Sequence, residues 1–149
     1  MSKRNADAES DSWCTPKALA SALGDFHLDP CSNERSHIKS LRKYCLPQDG
    51  LSLPWEGSVF VNPPYSNPLP WAERLSEYRQ PWVALVKLDP TTKWWAALMF
   101  GCSGWAPFRS RIKFERPNKA PIGANFPNAL VWRDRKMACK LEIQLWGAR

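Results

Sequence analysis

Ser58-Val59-Phe60-Val61-Asn62-Pro63-Pro64-Tyr65 is the stretch on which the reading of this chain turns. Its apolar, β-prone centre follows the turn residues Trp55-Glu56-Gly57 and stops at two prolines. A short continuous apolar run with such boundaries predicts a strand covered on both faces, as in a parallel sheet. A second run of the same kind is Trp82-Val83-Ala84-Leu85-Val86-Lys87. Between them, Pro70 to Arg79 places Trp71, Leu75 and Tyr78 at i, i+4 and i+7, the spacing of one helix face. Strand, helix, strand is the unit of a parallel sheet.

Outward from that unit the punctuation continues. Thr15 can cap a short helix that Pro16 opens and Gly24 closes. Phe26-His27-Leu28 reads as a strand ending at Asp29-Pro30, and Thr91 or Thr92 can cap a helix running to Phe100. Residues 31–57 are polar and show only turn chemistry, at Asp49-Gly50 and Trp55-Glu56-Gly57. Short strands are expected at 105–108, 111–114, 128–133 and 141–146. The alternation predicts a three-layer α/β domain: a mainly parallel central sheet with antiparallel C-terminal strands.

The chain has 149 residues, of which 44% are hydrophobic and 23% charged, a length that suits a single domain over 13–149. No apolar run approaches the ~18 residues of a membrane span. Residues 1–12 are polar, lack the apolar core of a secretory signal, and read as a disordered lead-in. Five cysteines at 14, 31, 45, 102 and 139, with no C-x-x-C pair and two histidines, point to reduced thiols in a cytoplasmic protein without a metal. Net charge is +7, and it is unevenly distributed. Residues 109–149 hold 10 Lys/Arg against 3 Asp/Glu, while the rest of the chain balances. A one-sided basic segment is either a solvated face or a surface for a polyanion such as nucleic acid.

The bend after the central strand has its own chemistry. Ligands of open α/β sheets bind beyond the carboxyl ends of the strands, which is where Asn62 to Tyr65 fall. Each proline holds the residue before it extended, and neither has an N–H, so the bend offers acceptors in a stiff frame. The Asn62 side-chain oxygen and the Pro63 carbonyl can both accept from one NH₂ group, and Tyr65 offers a flat face for an aromatic ring. Methylation of an exocyclic amine needs those parts. The amine's lone pair is delocalised into its ring, and two acceptors pulling on its hydrogens localise and aim it. Read alone, the tetrapeptide is also a proline-rich turn ending in a core tyrosine.

The order Trp13-Cys14-Thr15-Pro16, Leu28-Asp29-Pro30-Cys31-Ser32-Asn33, Asp49-Gly50-Leu51, Asn62-Pro63-Pro64-Tyr65 resembles the amino-methyltransferases that use S-adenosylmethionine. It most resembles the small phage and prophage DNA N-6-adenine methyltransferases of the Dam type, over roughly residues 11–133. The resemblance implies a Rossmann-like methyltransferase fold and a catalytic motif at Asn62, Pro63, Pro64 and Tyr65. It also implies donor contacts at Thr15 and Pro16 for the methionine end, Asp29 and Pro30 in the first-strand loop, and Asp49 for the adenosine part. The expected substrate is an adenine flipped out of duplex DNA, whose amine a duplex hides. Where most methyltransferases carry Gly-x-Gly this chain has Asp29-Pro30-Cys31-Ser32-Asn33, and both Asp29 and Asp49 also read as turn residues.

The chain is too short for a separate target-recognition domain, so base reading falls to short loops, the basic C-terminal part or a second subunit in a homodimer. Arg109, Arg111, Lys113, Arg116 and Lys119 alternate with Phe108, Ile112 and Phe114, which on a strand would line cations along a phosphate track. RNA or a protein glutamine could receive the same chemistry, and a catalytically silent DNA-binding module could keep the same fold.

Overall fold

The computed structural model describes residues 13–116 and 118–134. Among the described residues three helices, α1 (Lys17–Leu23), α2 (Leu69–Glu77) and α3 (Lys93–Gly101), accompany eight strands. These are β1 (Asp25–Ser32), β2 (Lys39–Cys45), β3 (Val59–Val61), β4 (Trp82–Lys87), β5 (Gly104–Pro107), β6 (Lys113–Arg116), β7 (Lys119–Gly123) and β8 (Asn128–Arg133). Six form one sheet in the order β2-β1-β3-β4-β8-β5, while β6 and β7 make a separate hairpin. The first four strands of that order are parallel, and β8 runs antiparallel between β4 and β5. A mixed α/β protein with a mainly parallel sheet is what the apolar runs predicted.

Those runs are apolar throughout because the sheet is covered on both sides. Val83 and Leu85 pack with Phe60, Leu130 and Trp132 on one face, whereas Trp82, Ala84 and Val86 pack with Val59, Val61 and Val131 on the other. The second face is closed by Trp71, Ala72 and Leu75 of α2 and by Trp95 and Leu98 of α3. The first is closed by Ala20 and Leu23 of α1, by Ile38, and by Phe114 of the hairpin. Fully burying each of these large side chains contributes roughly 1.5–3 kcal/mol, so β3 and β4 anchor the fold.

Several sequence expectations shift. Strand β1 is longer than Phe26–Leu28, continuing through Asp29 and Pro30 to Ser32. Thr15 does not cap α1; Pro16 stands at the cap position, no side chain bonds the free amides, and Thr15 is buried instead. Thr92 does cap α3, its hydroxyl accepting from the Trp95 N–H. The strand expected at 111–114 lies at Lys113–Arg116, and β7 was not anticipated. Residues 1–12 and the strand expected at 141–146 lie outside the described residues.

The largest omission is β2, in the stretch the sequence left unassigned. It pairs parallel with β1, Lys39 opposite Asp25, although only residues 33–38 connect the two strands. Parallel neighbours ordinarily need a crossover of about a dozen residues or more, usually a helix. Here an extended segment makes the return and buries Ile38 on the sheet. As an edge strand with Lys39, Leu41, Arg42 and Lys43 exposed, β2 carries no apolar run to reveal it.

The following loop is pressed onto β1. A Cβ on Gly50 would stand 1.8 Å from the Pro30 carbonyl oxygen, so this position requires glycine. The missing glycine of the first-strand loop is thus matched by one in the neighbouring loop. The Arg74 guanidinium on α2 holds that loop, donating to the carbonyls of Gly50, Leu51 and Leu53.

Candidate active site

A cavity of about 820 Å³ opens beyond the carboxyl ends of β1 and β3, a size that suits a small organic ligand. Asp29 and Cys31 come from β1, Asn62, Pro63 and Pro64 from the bend after β3, and Trp13 and Thr15 from the segment before α1. The parallel sheet is the cause: its strands end side by side, so the chain must turn away there and leave a crevice.

Asn62 is the informative member of this wall. Its side-chain Oδ1 is buried and has no hydrogen-bond partner. Leaving such an acceptor unsatisfied costs about 1–3 kcal/mol. The prolines beside it bring no donor that could satisfy it from within.

Tyr65 lies differently from the sequence reading. Its side chain is only 8% exposed and forms no part of the cavity wall. Phe114 and Phe126 meet the ring at 76° and 80°, with centroids 6.3 and 5.2 Å away. The Lys87 ammonium stands over it at 5.3 Å, and Asn128 Nδ2 lies 3.5 Å from its hydroxyl. The face expected to be open for a nucleobase therefore has protein neighbours, because the bend turns the ring back into the aromatic cluster on the sheet.

Asp29 is buried, and burial raises its pKa to about 7. The Ser32 hydroxyl, the Cys31 N–H and the charge of Lys43 oppose that rise without cancelling it. A carboxyl in this position is poised to ionise when a cation enters the cavity.

Of the expected donor contacts, the fold brings Thr15 and Asp29 into the cavity wall with Asn62, Pro63 and Pro64. Pro16, Pro30 and Asp49 lie outside it. Pro16 stands at the cap position before α1, and the Pro30 carbonyl faces Gly50. Asp49 is exposed and closes its own turn, accepting from the Ser52 hydroxyl and the Leu51 N–H. Those two bonds, the Ser52 one foremost, hold its carboxyl below the usual range.

Among the basic residues, Arg109, Arg111, Lys113 and Lys119 are exposed, and the alternation with buried Ile112 and Phe114 is as the sequence indicated. Arg109 and Arg111, however, precede the strand. Arg116 turns inward across the hairpin, donating through Nε and Nη2 to the Ala120 carbonyl.

Sequence reasoning named Trp13 and Phe114 without a role at the bend and missed Phe126, Lys87 and Asn128; the five come from four separate segments. Trp13 packs against Phe114 with ring centroids 5.5 Å apart, and its Nε1 is buried without a partner. No local pattern marks these residues, since only the tertiary fold brings them together. Among the described residues, no group of His, Cys, Asp and Glu is arranged to hold a metal, and no helix is long and apolar enough to cross a membrane.

Sheet and cavity together define an α/β protein with a crevice at its strand ends, in whose wall Asn62 keeps an unpartnered Oδ1. The match to known sequences gives the lineage: this chain belongs to the DNA N-6-adenine-methyltransferase (Dam) family, whose model covers residues 2–137. It is 33% identical over 106 residues to a protein of Haemophilus phage HP1 named DNA N-6-adenine-methyltransferase. The aligned part is 63% of this chain and 60% of that relative, so the chain matches less than two thirds of the relative's length. No solved structure gives a significant match.

Proposed function

We propose that the chain is an S-adenosylmethionine-dependent DNA methyltransferase acting on the exocyclic N6 amine of an adenine flipped out of a duplex. The observation that carries this reading is the buried, unpartnered Oδ1 of Asn62 in the cavity wall, beside a proline that removes competing donors. Family membership supports the same activity, and the work would take place in the host cytoplasm if the chain is phage-encoded. A Rossmann-like layering is the corresponding reading of the fold.

Bound in the cavity, S-adenosylmethionine supplies a methyl group on a positively charged sulfur. The residues present fit such a donor: Asp29 is a buried carboxyl that matches its ammonium group, and Thr15 lines the same wall. Asn62 Oδ1 and the Pro63 carbonyl accept the two amine hydrogens. That localises the nitrogen lone pair and fixes its direction. Positive charge grows on the nitrogen during attack, so these acceptors strengthen as the reaction proceeds and lower its barrier. Tyr65 braces the bend from behind, its ring held by Phe114, Phe126 and Lys87.

The test is Asn62→Ala. Losing one oriented acceptor should slow methyl transfer to DNA by at least about a hundredfold, measured with labelled donor. Calorimetry should show donor affinity within about threefold of the parent, about 0.6 kcal/mol. Methylation at the parental rate would overturn the mechanism.

A further inference from the structure

Among the described residues four large apolar side chains stand exposed: Leu41, Leu46, Phe100 and Trp105. Of these only Leu46 also lines the cavity, and it is 91% exposed at that lip. Single exposed leucines are common and by themselves carry no message. At this position the support beneath the side chain and the charge around it supply one.

The tip that bears Leu46 is fixed on both sides. Cys45 ends β2 in register with Ser32 of β1. The turn after it is closed by the Gln48 N–H donating to the Cys45 carbonyl at 2.9 Å, and by the Cys45 N–H donating to Gln48 Oε1 at 3.3 Å. The Tyr44 hydroxyl donates to the Pro54 carbonyl at 2.7 Å, and Arg74 holds the carbonyls of Gly50, Leu51 and Leu53 beyond the turn. Leu46 therefore projects from a stiff support while its side chain remains in water.

The surface leading to this tip is cationic. Residues 35–48 contain Arg35, Lys39, Arg42 and Lys43 and no Asp or Glu, and all four cations are exposed. Charge of one sign beside a cavity draws in a polyanion. Taking an adenine out of a duplex leaves a gap in the base stack, and proteins that open base steps insert apolar wedges such as Leu, Phe, Ile or Met. A leucine already exposed on a rigid tip gains burial on entering such a gap, and that burial offsets part of the stacking lost.

We propose that Leu46 is the wedge that fills the place vacated by the target adenine, with the β2 cations meeting the flanking phosphates. The inference rests on the methyltransferase reading above and adds a residue that acts on the DNA stack rather than on the reacting amine. Asn62 and Leu46 line one cavity, so the extruded base and the gap it leaves are served by that cavity and its lip.

The test compares Leu46→Ala and Leu46→Met with the parent on two duplexes of a sequence that the parent methylates in genomic DNA. In one the target adenine is paired with thymine; in the other it faces an abasic site, so no pair has to be broken. On the paired duplex Leu46→Ala should lower kcat/KM by at least about tenfold, and Leu46→Met, which keeps the bulk, should stay near the parent. On the abasic duplex Leu46→Ala should return to near the parental value, because an unpaired base is cheaper to extrude. Calorimetric donor affinity should be unchanged in both variants. Parental activity of Leu46→Ala on the paired duplex, or an equal loss on both duplexes, overturns this inference alone. So does a matching fall in donor affinity, which would assign Leu46 to the donor, or a change of oligomeric state in light scattering, which would assign it to a contact between copies. A parent that methylates no DNA overturns the activity and the inference together.

Discussion

Asp29 shows how burial of a single residue changes its ionisation. Its folded pKa is about 7, against an unfolded value near 4, so the folded chain binds the extra proton between those limits. Its contribution to stability therefore declines as pH rises from about 4 to about 7 and is level above that. With Asp29 holding the donor's ammonium group as proposed, donor binding has the opposite sign, because that group needs the ionised carboxylate. Donor affinity should rise as pH climbs through 7 and be about tenfold weaker one unit below it. Asn at this position should remove both dependences. Calorimetric titration at pH 6 and pH 8 checks the first, and equal affinities would remove Asp29 from the donor site. The residue was visible in the sequence as a strand-end acid. Its perturbed ionisation was not, since that comes from neighbours distant in the chain.

At the scale of elements, strands β3 and β4 could be read directly, and β2 could not. Val59–Val61 and Trp82–Val86 are buried on both faces, so every position had to be apolar and the pattern declared itself. Strand β2 is an edge with exposed cations, reached by a connection too short for a helix, and its pairing depends on β1 rather than on its own residues. The loop after β2 offers the clearest stability test. In Gly50→Ala the new methyl group meets the Pro30 backbone rather than a flexible side chain, so relief requires the loop to lift from β1. The expected loss is about 2 kcal/mol or more in denaturant unfolding, together with weaker donor binding. An unchanged midpoint would show that the close approach does not exist in solution.

Across the whole molecule, the hairpin, the segment before α1 and the bend after β3 meet at Phe114, which packs against both Trp13 and Tyr65. Phe114→Ala should cost about 3–5 kcal/mol and slow methyl transfer even at temperatures where the variant stays folded. Full activity in the folded variant would mean that the hairpin root does not organise the site. By itself the sequence determined the strand–helix–strand core and the alternation of exposed cations with buried Ile112 and Phe114, because each is a local run whose period is self-contained. Only the tertiary structure decided that Tyr65 is packed and that Trp13, Asp29 and Asn62 share one cavity. Burial and long-range neighbours are properties of the assembled sheet, and no stretch of residues carries them alone.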